Sequence, residues 1–140
     1  MERTLTIIKP DAVQRNLTGK ILARLEAEGF NILAMKMVWL SKQDAKRFYN
    51  VHRERPFFDS LTSYMASGPA LPVMLQRDDA IRKLREVMGA TNPAEATEGT
   101  IRKEWGVDLE KNSIHGSDAP ETAAWETGFF FNHLEFWQHA

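Results

Sequence analysis

The sequence predicts an α/β (α+β) chain in which strands and helices alternate. Apolar runs of strand length lie at 3–9, 30–40 and 70–76, the last alternating through Leu71, Val73 and Leu75. Between them, apolar residues recur at helical spacing, as in Ile21, Leu22 and Leu25 or Ile81, Leu84 and Met88. Proline or glycine punctuates the junctions at Pro10, Gly29, Pro56 and Gly68-Pro69.

Each element has a local reason. Leu5, Ile7 and Ile8 are the apolar content of the first strand. Pro10 cannot donate to a ladder and ends it, and Lys9, before a proline, is held extended. Lys9 thus stands at a strand end with its ammonium free, as a ligand-binding lysine or as a plain surface lysine. Residues 11–15 read as a helical turn. Thr18 reads as the N-cap of a helix that stops at Gly29. Along 30–40, Leu33, Met35, Met37 and Trp39 form one apolar face. Ile32, Ala34, Lys36 and Val38 form a mixed one, as an edge or interface strand would show.

Ser41 caps the next helix, with Asp44 three residues on and Ala45, Phe48 and Tyr49 along its stripe. Pro56 starts another. Only one of Phe57 and Phe58 can point fully inward, because adjacent helical positions lie about 100° apart. The other ring is free to meet a planar ligand. Pro72 predicts a late start or a bulge in the third strand. Residues 79–88 form a helix with Arg82, Lys83 and Arg85 off its apolar face. Residues 89–114 read as a long functional loop, in which Trp105, Val107 and Leu109 argue against disorder. A short helix from 120 to about 126, a last strand at 128–131 and an aromatic tail close the chain.

A length of 140 residues suits one domain, taken as 1–140, and 43% hydrophobic content suffices for a core. A net charge of −1 gives no electrostatic case for a nucleic-acid partner. The absence of cysteine excludes disulfides and thiolate metal sites. His52, His115, His133 and His139 lack the spacing of a zinc motif. The first apolar run is too short for a signal peptide or a membrane span, so a soluble cytoplasmic protein is expected.

Chemistry concentrates at Asn112-Ser113-Ile114-His115-Gly116-Ser117-Asp118. Ser117 or Asp118 reads as the cap of a helix with Pro120 in its first turn. An imidazole is then set beside a helix N-terminus, where anions are favoured. A neutral imidazole is a nucleophile near neutral pH, and beside an anion site it points to phosphoryl chemistry. Read alone, the stretch is equally a polar turn with a solvated histidine.

Taken together, several stretches resemble the nucleoside diphosphate kinase family. They are residues 8–15 (Ile-Lys-Pro-Asp-Ala-Val-Gln-Arg), Tyr49 with Arg55-Pro56-Phe57-Phe58, Ser67-Gly68-Pro69, Gly89-Ala90-Thr91-Asn92-Pro93-Ala94, Gly99-Thr100-Ile101-Arg102 and the histidine stretch. They occur in the family's order and spacing from residue 3 to about 131. The resemblance implies a ferredoxin-like βαββαβ fold with a four-stranded antiparallel sheet, flanking helices and a long nucleotide-binding loop. It also implies ping-pong transfer of a terminal phosphate between nucleoside tri- and diphosphates, with broad base preference. Magnesium would come with the nucleotide's phosphates, and the chain itself would supply no metal ligands.

Residue by residue, the resemblance makes His115 the nucleophile, through Nδ1, and Glu126 the carboxylate that holds Nε2. Lys9 would meet the transferring phosphate, Tyr49 would sit beside the histidine, and Ser117 would help there. Arg85, Thr91 and Arg102 would clamp phosphate, for which guanidinium groups give planar charge-assisted donors. Asn112 and Lys9 would hold sugar hydroxyls. Phe57 would stack on the base with Leu109 on its other face, and stacking tolerates any base. His52, His133 and His139 match no site position and read as structural or solvated.

The departures from the family pattern are Pro72, Gln76-Arg77 and the ending Phe136-Trp137-Gln138-His139-Ala140. A non-catalytic nucleotide-binding or regulatory protein of the same fold is the alternative, and donation of phosphate to protein histidines is a second. The retained catalytic positions weigh against the first; the second would work through the same His115, as a side activity. A dimer-based homo-oligomer is expected, with a tetramer ahead of a hexamer. An open edge at 30–40 would otherwise invite aggregation, and the aromatic tail offers a second contact.

Overall fold

The computed structural model describes residues 1–137. The reading of His139 therefore lies outside the described residues. Four antiparallel strands, β1 (Glu2–Ile8), β2 (Asn31–Met35), β3 (Leu71–Arg77) and β4 (Ile114–Gly116), lie in the order β2-β3-β1-β4. Helices α1 (Pro10–Gln14), α2 (Thr18–Ala27), α3 (Lys42–Phe48), α4 (Phe58–Met65), α5 (Ala80–Met88), α6 (Ile101–Trp105) and α7 (Pro120–Phe130) flank the sheet.

The sheet separates two cores. On one face Ile8, Val73 and Leu75 meet Ile21 and Leu25 of α2 and Leu84 and Met88 of α5. On the other, Leu5, Ile7 and Met74 meet Phe48 of α3, Met65 of α4 and Phe130 of α7. The central strand β1 pairs with both β3 and β4 and ends at Lys9, whose N–H donates to Ser113 O at 2.9 Å. That bond brings the first strand's end to the histidine stretch.

Pro72 lies within β3, opposite Ile7, with no late start. The bulge is on the neighbouring strand, between Ile32 and Ala34 of β2, opposite Leu75 and Met74. The Pro72 carbonyl accepts from Lys36 N at 3.3 Å, so its donorless nitrogen also faces β2. One ladder bond is missing where β2 ends at Met35, and the chain re-pairs only at Val38 and Ala70. The long strand expected at 30–40 is thus interrupted by the missing Pro72 donor.

The bulge also reverses the expected faces. Leu33 and Ala34 both enter the second core, and Val38 packs against it. Met35, Met37 and Trp39 are left 53, 54 and 68% exposed. The tail folds back on this edge: Trp137 donates through Nε1 to Ile32 O at 3.1 Å and Glu135 pairs with Lys36 at 3.0 Å. Phe136 packs against the second core under Arg3. Part of the tail is therefore a contact within its own chain.

The strand expected at 128–131 is helix, because α7 continues through Gly128 to Phe130 and Phe131 N still bonds Thr127 O at 2.9 Å. A run of three phenylalanines carries no period that separates helix from strand. The fourth strand is the three-residue β4, centred on His115. The loop expected at 89–114 contains α6, capped by Thr100, whose hydroxyl accepts from Lys103 N. Neither Thr18 nor the Ser117/Asp118 pair caps its helix. The N-caps are Leu17 and Ala119, and Thr122 Oγ1 takes the Ala119 N–H at 2.9 Å. Ser41 does cap α3, accepting from Asp44 N at 3.0 Å.

Candidate active site

His115 sits mid-strand at the sheet edge, with its backbone held from three directions. Thr6 Oγ1 donates to His115 O at 2.6 Å. Arg102 donates through Nη2 to Ile114 O at 2.8 Å. Just upstream, Ile114 N bonds back to Asn112 O at 3.0 Å, forcing Ser113 to a φ of 76°. A side chain rarely adopts that backbone, and it is kept only where surrounding contacts over-determine it.

The ring is oriented as firmly. His115 Nε2 lies 2.9 Å from Glu126 Oε1, and Ser117 Oγ donates to the same oxygen at 2.7 Å. With the proton on Nε2 and donated to the carboxylate, Nδ1 keeps its lone pair. Phe48 meets the imidazole edge-on with centroids 5.5 Å apart, and Tyr49 does so at 6.0 Å. The Tyr49 hydroxyl is buried without a hydrogen-bond partner among the described residues. Burial, then the charge of Glu126, pushes its ionisation well above the usual range.

Two cations are buried nearby. Lys9 Nζ donates to Asn112 Oδ1 at 2.9 Å and to Glu110 O at 3.2 Å. Burial, then Arg102, pulls its pKa down to about 8, opposed by Asp11, Glu110 and Asp108. Arg102 bridges Gly89 O at 3.0 Å and Ile114 O, while its Nε is buried without a partner among the described residues. Burial, then Arg85, lowers its pKa to about 10, against the pull of Asp118. Asn112 Nδ2 donates to Thr91 O at 3.0 Å and Leu109 O at 3.1 Å, joining both ends of the long loop.

His115, Glu126, Ser117, Tyr49, Lys9, Asn112 and Arg102 thus share one connected region. Thr91 joins it through its carbonyl. Arg85 borders it but pairs with Asp118 at 2.8 Å. Phe57 and Leu109 stand exposed, and the Phe57 ring leans on His52 at 5.5 Å. Phe58, its neighbour, packs inward against the second core. His133 is exposed. Sequence reasoning missed Phe48 as the histidine's neighbour, and the bonds of Tyr64 to Asp11 and of Ser60 to Glu110. Helical periodicity marks Phe48 and Tyr64 only as core, and Asp11, next to Lys9-Pro10, carried the one available signal.

A cavity of about 690 Å³ touches the region through Arg85 and Thr91. Its other cations, Arg24 and Lys83, already pair with Glu28. No group of three or more His, Asp or Glu among the described residues could hold a metal ion. The donors that line the site are the cationic Lys9 and Arg102, which fit phosphate oxygens and not a metal. No helix among the described residues is long and apolar enough to cross a membrane.

The strand order and the helices on both faces place the chain in the ferredoxin-like α/β class. A model of the nucleoside diphosphate kinase family matches residues 2–136. The chain is 62% identical over 135 residues to the nucleoside diphosphate kinase of Nitratidesulfovibrio vulgaris strain Hildenborough, covering 96% of this chain and 97% of that one. It is 57% identical to that of Geobacter sulfurreducens, covering 96% and 98%. The crystal structure of the Aquifex aeolicus enzyme superposes with a TM-score of 0.95 at 47% identity, over 96% of this chain and 98% of that one. That of Halobacterium salinarum in complex with CDP does so with 0.95 at 39%, over 99% and 93%. The chain belongs to the nucleoside diphosphate kinase family.

Proposed function

We propose that the chain moves the terminal phosphate of a nucleoside triphosphate to a nucleoside diphosphate through a phosphohistidine at His115. The observation that carries this is the 2.9 Å contact of His115 Nε2 with Glu126, which leaves Nδ1 as the nucleophile. In the first half-reaction Nδ1 donates its lone pair to the terminal phosphorus, and the bond from phosphorus to the bridging oxygen breaks. The departing diphosphate takes that electron pair. In the second half-reaction a phosphate oxygen of another diphosphate attacks, and the P–N bond breaks. Glu126, itself held by Ser117, offsets the positive charge that develops on the ring.

Lys9 and Arg102 meet phosphate oxygens, whose charge spreads in an in-line transition state. Arg85 joins them by leaving Asp118. Thr91 adds a donor, and Tyr49 shields the ring. Asn112 and Lys9 take sugar hydroxyls, while Phe57 and Leu109 hold the base by its faces, which favours no one base. Magnesium travels on the nucleotide's phosphates, where it neutralises charge. The setting is cytoplasmic, and the substrates are nucleotides.

The same reading makes the protein a dimer-based homo-oligomer, a tetramer ahead of a hexamer. The outer strand β2 with exposed Met35, Met37 and Trp39 supports it. Light scattering at micromolar protein tests it, and a stable active monomer would refute it. The chemistry is tested with ATP labelled in its terminal phosphate, chased with a nucleoside diphosphate. Acid-labile label on the protein that moves to the diphosphate is the expected result. Label that never forms, or never leaves, sinks the mechanism.

A further inference from the structure

We propose that Asp11, clamped by Tyr64, is a positioning residue for Lys9: it ties the Lys9 turn to α4 and supplies the counter-charge that holds the buried ammonium. The inference rests on the reading of Lys9 as a phosphate-contacting group. Asp11 is the second residue of α1, two positions beyond Lys9, and is buried. The Tyr64 hydroxyl accepts from Asp11 N at 3.0 Å and donates to Asp11 Oδ1. One phenol therefore fixes both the backbone and the side chain of Asp11. Tyr64 belongs to α4, whose N-cap is Phe57, so the clamp joins the base-stacking ring's helix to the turn that carries Lys9.

The other carboxylate oxygen, Oδ2, is buried and accepts no hydrogen bond among the described residues. Arg15 Nη1 is 3.9 Å away, half-exposed, and donates its hydrogen bond to Trp105 O at 2.6 Å. A buried carboxylate oxygen left so bare is costly unless a nearby cation compensates it. Arg15 reaches it from the solvent side, and the buried charge two residues back along the chain is Lys9. The relation is reciprocal, since Asp11 is the largest of the influences that favour the protonated form of Lys9. The groups that face Lys9 are Arg102 from α6, Asp11 from α1, and Asp108 and Glu110 from the loop. Those that face the Asp11–Tyr64 pair are Arg15, Lys9 and Tyr49. Glu110 and Asp108 have other work, because Glu110 accepts from Ser60 and Asp108 from two loop amides. Asp11 Oδ2 accepts no hydrogen bond among the described residues, with Arg15 as its one ion-pair contact there.

The test is the pH profile of kcat/KM for the full chain, its Asp11→Asn variant and its Tyr64→Phe variant. It is paired with an NMR titration of Lys9 Nζ in ¹⁵N-lysine-labelled protein, assigned with Lys9→Arg. Asp11→Asn keeps the shape and removes the charge. Its alkaline limb should move down by about 0.5 to 1 pH unit, a roughly three- to tenfold loss of kcat/KM above the limb. The Lys9 Nζ titration should move by the same amount. Tyr64→Phe keeps the charge and removes the clamp, so its limb should move less while the KM for nucleotide rises. Superimposable limbs and Nζ titrations in Asp11→Asn would overturn the proposal. Should that variant not fold, an unchanged KM and limb in Tyr64→Phe would overturn it instead. If the wild-type chain forms no phosphohistidine, the functional reading fails, and the Nζ titration still decides the coupling.

Discussion

Replacing Glu126 with glutamine tests the site at its most specific contact. The change keeps the side chain's shape and one acceptor oxygen, so the bonds from His115 Nε2 and Ser117 Oγ can persist. What it removes is a full negative charge 2.9 Å from the ring nitrogen. At an effective dielectric of about 20, a full ring charge at such a separation is worth roughly 6 kcal/mol. Only part of that charge develops in the transition state, and the amide dipole restores some of the attraction. A loss of about 1.4 to 4 kcal/mol remains, or roughly 10- to 10³-fold in rate. Rapid-quench measurement of acid-labile label on His115 in a single turnover reads this step apart from product release. Nucleotide affinity, measured by calorimetry, should stay close to wild type, since the interaction strengthens only as the P–N bond forms. An unchanged single-turnover rate would refute the role given to Glu126. A loss as complete as that of the histidine would show that the carboxylate does more than balance charge.

Other outcomes follow from the same geometry. His115→Ala should abolish labelled-phosphate transfer while calorimetry still registers nucleotide binding, and appreciable steady-state turnover would exclude the covalent route. Gly116→Ala would set a Cβ 2.6 Å from Met88 Sδ and 3.0 Å from Leu84 Cδ2, so urea unfolding should register a loss of about 1 to 3 kcal/mol. Pairing it with Met88→Ala should be less costly than the two single losses added, and simple additivity would count against the clash. If Lys9 meets phosphate as a cation, as proposed, its pKa, pulled by burial to about 8, means that kcat/KM should fall above that pH. The stability consequence has the opposite direction. Its folded value lies below the ordinary lysine value of 10.5, so its contribution disfavours folding below about pH 8 and is relieved as pH rises towards 10.5. Urea midpoints of wild type against Lys9→Met over that window measure this difference, and a constant gap would contradict it.

The sequence made the α/β alternation legible, and with it both cores, because most of the buried stripes repeat at regular periods. It failed where a local rule was overridden from elsewhere in the fold. Met35, Met37 and Trp39 alternate as a buried face would, yet a bulge at Leu33 and a donorless Pro72 on the next strand expose them. Neither cause lies within the segment that shows the alternation. The Phe129–Phe131 run read as strand because three adjacent aromatics fit either period. At the site, residue types and order were legible because the matched motifs carry them. The partners were not, since Arg85 turns to Asp118, Asp11 to Tyr64 and Glu110 to Ser60 across large sequence separations.

The site's rigidity has a common source. Thr6, Lys9 and Asp11 belong to one short stretch, the end of β1 and the turn that follows it. Thr6 holds the carbonyl of His115, Lys9 holds Asn112 and Glu110, and Asp11 holds Tyr64. Pro10 supplies the geometry that spaces them, since it ends the strand and opens α1 as its first residue. The histidine strand, the long loop and α4 are thereby referred to a single piece of backbone buried at the sheet's centre. The proposed covalent carrier at His115 needs that arrangement, because attack succeeds only when nucleophile, phosphorus and leaving oxygen are in line. Displacing any one of these three elements by an ångström would misalign the reaction without touching a reacting atom. Second-site changes around residues 6–11 should therefore lower the phosphorylation rate more than they lower nucleotide affinity.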